Sequence, residues 1–284
     1  MLPGPQRLRY VRGDRWIGYT RATDALARLE TLLDTPRKQR MPNLLILGPT
    51  NNGKSMIIEK FCRAHPPSSH PDHEEIPVLT MQMPSEPSVP RFYTALLAAL
   101  GSPARARAPR LADLEQLVLS MLRATGVRVL VIDELHNVLA GSSRTVRREF
   151  LNLLRFLGNE LRIPLVGVGT NDAYLALRSD PQLENRFAPF ILPRWQPDAQ
   201  GCALLASFAA AFPLRRSSPI ATVEMATYLL TRSEGTIGEL TTLLTDAAIA
   251  AIESGEEAIN QKTLVLAPYV GLTERRRMFE RDLA

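Results

Sequence analysis

The apolar positions of this chain change period along its length. Over residues 20–33, Ala22, Ala25, Leu26, Leu29, Leu32 and Leu33 recur at helical spacing, which predicts a helix with one buried face and Thr20 as its cap. Residues 43–47 form a short continuous apolar run ending at Gly48, the pattern of a strand covered on both faces. The alternation continues with helices over 55–63, 89–100, 111–124 and 144–162, and strands over 76–83, 127–132 and 164–169. Two loops interrupt it, a Pro-, Ser- and His-rich one over 65–77 and a basic, Pro- and Ala-rich one over 101–109. Strands alternating with helices predict an α/β fold, a parallel sheet flanked by helices. Residues 1–20 read as irregular. Beyond Arg194 no strand pattern remains, and helices over 199–211, 220–233, 237–254 and 260–267 predict a small all-α lid domain. The expected division is 1–20 as an N-terminal segment, 21–194 as the α/β domain, and 195–284 as the helical domain with its tail.

Composition narrows this picture only a little. A chain of 284 residues, 45% hydrophobic, can bury the core of one large or two modest domains. A net charge of +5 is compatible with a nucleic-acid partner without establishing one. Cys62 and Cys202 are the only cysteines, which excludes a disulfide scaffold and a Cys-rich metal site and fits a reducing compartment. The sequence has no run of eighteen apolar residues and no apolar signal core behind residues 1–7, so the expected location is the cytoplasm, with no membrane partner.

The chemistry is concentrated in three places. Residues 48–55 match G-x-x-x-x-G-K-[ST] without mismatch, with a strand before and a helix after. Such a loop wraps backbone N–H groups around a phosphate and adds the positive end of a helix. Gly48, Pro49, Thr50, Asn51, Asn52, Gly53, Lys54, Ser55 and the adjoining Met56 are therefore the candidate contacts to ATP. Lys54 would reach the terminal phosphates, and the Ser55 hydroxyl would hold Mg2+. In the second place, the apolar run 129–132 delivers Asp133 and Glu134 to the C-terminal end of a strand, where ligands bind in open α/β sheets. Asp133 would hold Mg2+ through water, and Glu134 would polarise the attacking water. An ordinary charged turn also reads this way, but not beside a phosphate loop. The third place is Thr170-Asn171 after the strand at 165–169, where one polar side chain could sense the γ-phosphate while the other caps the next helix. Asn171 is slightly favoured as the sensor.

These elements, followed by a helical domain, resemble an AAA+ ATPase. Trp16-Ile17-Gly18-Tyr19 ahead of a helix, the Asn51-Asn52 loop, Asp133-Glu134-Leu135-His136-Asn137, Gly169-Thr170-Asn171 and Gly235-Thr236-Ile237-Gly238-Glu239-Leu240 resemble, more narrowly, the TniB family of transposition ATPases, related to TnsC and more distantly to MuB. The likeness runs from about residue 8 to about residue 270. It implies an ATP-dependent regulator that assembles as rings or filaments on duplex DNA and recruits or activates a DDE transposase, with a further target-selection protein as a conceivable partner. It also implies that Trp16, Ile17 and Tyr19 lie near the adenine, that Gly238 belongs to the nucleotide site, and that Arg186 is an arginine finger completing a neighbour's site, with Arg178 in reserve. Many AAA+ proteins carry a second sensing arginine where this chain has Glu239, and Arg232 comes before the glycine, so hydrolysis is expected to be slow.

Binding DNA without sequence preference needs cations aimed at phosphates. Arg91, Arg105, Arg107 and Arg110 lie in the region that lines the channel of related filament-forming ATPases and are the candidates, a solvated basic loop being the plain alternative. Arg144, Arg147 and Arg148 form a second cluster, and Arg275-Arg276-Arg277 reads as a solvated tail. His65, His70 and His73 fit no metal-ligand spacing. The competing readings are another DNA-associated AAA+ ATPase, such as a helicase loader or replication-initiation protein, and a small-molecule kinase. The kinase ranks last, because it needs neither Arg186 nor the Asp133-Glu134 pair.

Overall fold

A computed structural model describes residues 4–71, 74–102, 110–139, 144–178 and 180–283. The chain packs as two compact units, one of Asp24–Gly48 with Lys54–Leu192, the other of residues up to Thr23, Pro49–Gly53 and those from Pro193 onward.

The first unit is built on a parallel sheet. Its strands are β1 (Asn43–Leu47), β2 (Val78–Gln82), β3 (Val129–Asp133), β4 (Leu165–Gly169) and β5 (Phe187–Ile191), in the spatial order β2-β3-β4-β1-β5. β1 and β4 are buried along their whole length, as continuous apolar runs require. Asn43 is the polar exception at the start of β1. Its side-chain oxygen accepts from Leu165 N at 2.9 Å, and its N–H donates to Arg186 O at 3.0 Å, so the buried amide is satisfied. With every strand parallel, Gly48, Asp133 and Thr170 emerge at the same edge of the sheet.

Helices α2 (Thr20–Asp34), α3 (Lys54–Ala64), α4 (Val89–Ala99), α5 (Leu111–Ala124), α6 (Arg144–Leu161), α7 (Asn171–Arg178) and the short α8 (Pro181–Glu184) fall close to the predicted periodic stretches, apart from α8. The apolar stripe of α6 packs with α4 and α5 against the sheet, burying Phe92, Leu96, Val118, Leu122, Phe150 and Leu154 in one core.

The second unit holds α1 (Gly4–Arg12), α9 (Ala199–Ala211), α10 (Val223–Arg232), α11 (Ile237–Glu253), α12 (Gln261–Leu266) and α13 (Leu272–Asp282). Its core joins Leu205, Phe208, Leu229, Leu240, Leu244 and Ile259 with Val11 and Ile17 from the N-terminal stretch.

Three local features go beyond the periodic pattern. Residues 1–20 are not irregular throughout, because α1 forms there. It buries Val11 and presents Arg7 to Glu257 in a two-pronged ion pair, at 2.7 and 2.8 Å, with both side chains largely buried. β5 carries Pro189, which masked its strand pattern. At the edge of a sheet, proline's missing donor is tolerated. The arginine run at 275–277 lies in the helix α13, none of whose residues is buried.

Candidate nucleotide site

The loop after β1 has the backbone its sequence demands. Asn51 and Gly53 adopt left-handed φ angles of 59° and 82°. At Gly53 an added Cβ would press on Ile237 and Tyr19 while holding a strained backbone. Alternation of left- and right-handed residues turns successive N–H groups toward one point, an anion-binding concavity. Lys54 opens α3 and is buried. Its Nζ donates to Gly48 O at 2.9 Å, bridging the two ends of the loop. Burial lowers the Lys54 pKa, and the nearby Glu134 and Asp133 carboxylates work against that shift. An ammonium desolvated in this way has an incentive to meet a phosphate. Met56 follows Ser55 in the first turn of α3.

The two acids end β3 beside α3. Ser55 Oγ donates to Asp133 Oδ2 at 3.0 Å. The other carboxylate oxygen of Asp133 accepts the Glu134 N–H at 2.8 Å, which fixes its orientation. Glu134 leaves the strand with a left-handed φ of 55°, a conformation costing a non-glycine residue about 1 kcal/mol. That turn sends its carboxylate away from the strand line, where His136 Nε2 lies 3.2 Å from Glu134 Oε2. A hydroxyl and a carboxylate form a hard oxygen donor set of the kind Mg2+ takes, keeping several waters. Among the described residues no cluster of three or more His, Cys, Asp or Glu suits a metal. His65 is instead bonded to Glu30 at 2.8 Å.

At the end of β4, Thr170 occupies the cap position of α7, its hydroxyl 3.4 Å from Asp172 Oδ2. Asn171 is the first residue of that helix and is exposed.

Within the helical unit, the tip of the loop is held by α11 and the chain ahead of α9. Gly238 N donates to Asn51 O at 3.0 Å, and Ile237 N to Asn52 Oδ1 at 3.3 Å. Asn52 Nδ2 donates to Pro193 O at 2.9 Å, and Asn52 is buried. A Cβ at Gly238 would collide with the Asn51 side chain. The glycine is thus required by the close approach of α11 to the loop, and its N–H is already spent on the loop backbone. Ile17 is buried in the helical core, Trp16 is half-buried, and Tyr19 meets Trp195 edge-on with ring centroids 5.0 Å apart. Burial pushes the Tyr19 phenol up to about 12.

Arg186 lies at the opposite edge of the sheet. It precedes β5, whose first residue pairs with Asn43 at the start of β1, so one strand length, about 16 Å, separates it from the level of Gly48. Its Nη1 donates to Asn159 Oδ1 at 2.7 Å. Arg178 is exposed and stands 3.9 Å from Glu184. Of the DNA candidates, Arg91 is exposed and paired with Glu86 at 2.9 Å, and Arg110 is exposed ahead of α5. Arg105 and Arg107 lie outside the described residues.

A phosphate loop after β1 and an acid pair at the end of β3, two strands away, with the loop tip packed in the helical unit, define an AAA+ P-loop ATPase. The sequence model described as Bacterial TniB protein matches residues 7–197, about two thirds of the chain, and the protein belongs to the TniB family. Among solved structures, the Aeropyrum pernix ORC1 protein in complex with DNA is similar over 97% of this chain and 70% of its own, at 18% identity and a TM-score of 0.64. The A. pernix ORC2 protein in its ADPNP–ADP complexes is similar over 91% and 71%, at 16% identity and a TM-score of 0.59. The Thermotoga maritima RuvB Holliday junction branch migration motor is similar over 91% and 72%, at 16% identity and a TM-score of 0.51. At these identities the likeness is one of fold. No curated protein matches the chain. No described helix is long and apolar enough to cross a membrane.

Proposed function

We propose that this ATPase is a nucleotide-controlled regulator of DNA transposition that assembles on duplex DNA and recruits or activates a DDE transposase. The observation that carries the catalytic part is the Ser55–Asp133 contact beside Lys54 and Glu134. In this reading Lys54 and the loop amides bind the β- and γ-phosphates of ATP, and Ser55 and Asp133 hold Mg2+, which neutralises phosphate charge when bound. Glu134, turned out of the strand and held by His136, orients the attacking water, and Asn171 senses the γ-phosphate. Arg186, a strand length from its own loop, serves a neighbouring subunit's ATP, which ties hydrolysis to self-assembly. Arg91 and Arg110, with Arg105 and Arg107, supply cations to the DNA backbone. Trp16 and Tyr19 flank the adenine.

DNA association is supported by two fold relatives, the Aeropyrum pernix ORC1 protein in complex with DNA and Drosophila ORC bound to DNA, and transposition by TniB family membership. The test is assembly. Incubated with a slowly hydrolysed ATP analogue and duplex DNA, the protein is expected to form rings or filaments visible by electron microscopy, and neither ligand alone is expected to suffice. A monomer under every condition would overturn the regulator reading, and tight binding confined to one origin-like sequence would favour replication initiation instead.

A further inference from the structure

Glu239 sits in the first turn of α11 and is 8% exposed. Arg275 Nη2, from α13, donates to both of its oxygens at 2.7 Å. Tyr269 Oη donates to Oε2 at 2.9 Å, and Asn51 Nδ2, from the tip of the phosphate loop, lies 3.4 Å from Oε1. Burial, followed by the Glu239 hydrogen bond, pushes the Tyr269 phenol above its ordinary value.

This arrangement poses an electrostatic problem. A buried negative charge within one side chain of the phosphate loop repels the anion that the loop is built to hold, and repulsion is strong where water is excluded. Arg232, the cation nearer in sequence, does not solve it. Its guanidinium is turned to Tyr228 Oη at 2.9 Å, Tyr269 O at 3.1 Å and Leu264 O at 3.4 Å. Among the described residues, the cation seated on Glu239 is Arg275. It comes from a helix with no buried residue, attached also through Thr273 N to Glu234 Oε1 at 2.8 Å, and lying outside the stretch matched by the family model.

We propose that Arg275 is a positioning residue for nucleotide binding: by neutralising Glu239 beside Asn51, it removes a charge that would otherwise repel ATP from the phosphate loop, and so couples docking of α13 to nucleotide occupancy. This rests on the phosphate-loop reading above. Linkage makes the coupling reciprocal: whatever α13 adds to ATP affinity, bound ATP adds to the docking of α13.

The experiment titrates the full chain and its variants with a fluorescent N-methylanthraniloyl-ATP, and follows hydrogen exchange of residues 272–282 with and without it. Wild type is expected to bind the probe and to gain protection in α13. Arg275→Gln should weaken binding about tenfold and lose the nucleotide-dependent protection, while Arg275→Lys should keep most of both. The decisive variant is the double substitution Glu239→Gln with Arg275→Gln, expected to recover the affinity of Glu239→Gln alone, since no charge remains to be neutralised. A merely structural salt bridge predicts a double variant as weak as Arg275→Gln, and that result overturns the proposal. If wild type fails to bind the probe, the loop reading itself fails and takes this inference with it. Binding by wild type with unchanged affinity in Arg275→Gln sinks the inference alone.

Discussion

The Ser55 hydroxyl donates to Asp133 Oδ2 across 3.0 Å, joining the first turn of α3 to the end of β3, 78 positions along the chain. A serine at a helix start and an aspartate at a strand end do not need one another for stability. They do suit a divalent cation seated with both, which places Glu134 one residue further on, at the edge of the same group.

Glu134→Gln is expected to keep ATP bound and to lower kcat by about two to three orders of magnitude, stabilising assemblies. His136→Ala, which frees the Glu134 carboxylate from its 3.2 Å partner, should lower kcat about tenfold with little change in KM. Single-turnover hydrolysis alongside equilibrium binding separates the two effects. Normal turnover in Glu134→Gln would refute its assigned role.

For Arg186 the expected signature is complementation. Arg186→Ala should bind ATP normally yet hydrolyse it at least about a hundredfold more slowly. Lys54→Ala should lose binding. Mixed, the two inactive variants should regain part of the activity, because interfaces form in which an intact loop meets an intact Arg186. No gain over the separate variants, under conditions where they co-assemble, argues against action in a neighbouring subunit.

Arg91→Ala and Arg110→Ala should weaken duplex binding similarly for unrelated sequences, each lowering the slope of log K against log salt by about 1. Arg91 gives up its 2.9 Å pairing with Glu86 to do so, and that exchange sets a smaller net effect for Arg91 than for Arg110. Anisotropy titrations at several salt concentrations measure both.

The Arg7–Glu257 pair fastens α1 to the helical unit. Arg7→Ala should destabilise that unit by about 2 kcal/mol, between the values for exposed and fully buried pairs. Glu257 is held below its ordinary value of 4.5, chiefly by the Arg7 hydrogen bond, and Arg7 is held above its own. A carboxylate depressed by folding contributes stability that is fully present above its unfolded pKa and is lost as pH falls through the folded one. Melting temperature in wild type should therefore drop more steeply below about pH 4.5 than in Arg7→Ala. Parallel curves would contradict this.

Much of the molecule was legible in the sequence because its signals are local. The runs at β1, β3 and β4 are apolar throughout, since both faces of a parallel sheet are covered, and the stripe of α6 repeats at helical spacing because one face is buried. The phosphate loop declared itself through Gly53, which a left-handed turn at 82° requires, and through Lys54 and Ser55 at fixed distance behind it. β5 was missed because Pro189 is a strand breaker everywhere except at an edge, and edges exist only in the assembled sheet. α1 escaped notice for a related reason, its burial resting on an ion pair to a residue 250 positions away.

By itself the sequence determined the α/β class, the ATP loop and the acid pair, all read from neighbours along the chain. Only the tertiary structure decided that Ser55 meets Asp133, that Arg186 stands at the far edge of the sheet from its own loop, that Gly238 makes room for Asn51, and that Arg275 answers the charge of Glu239. Periodicity reports which residues are buried, but the pairing of charges across long stretches of chain is fixed only when packing brings their elements together.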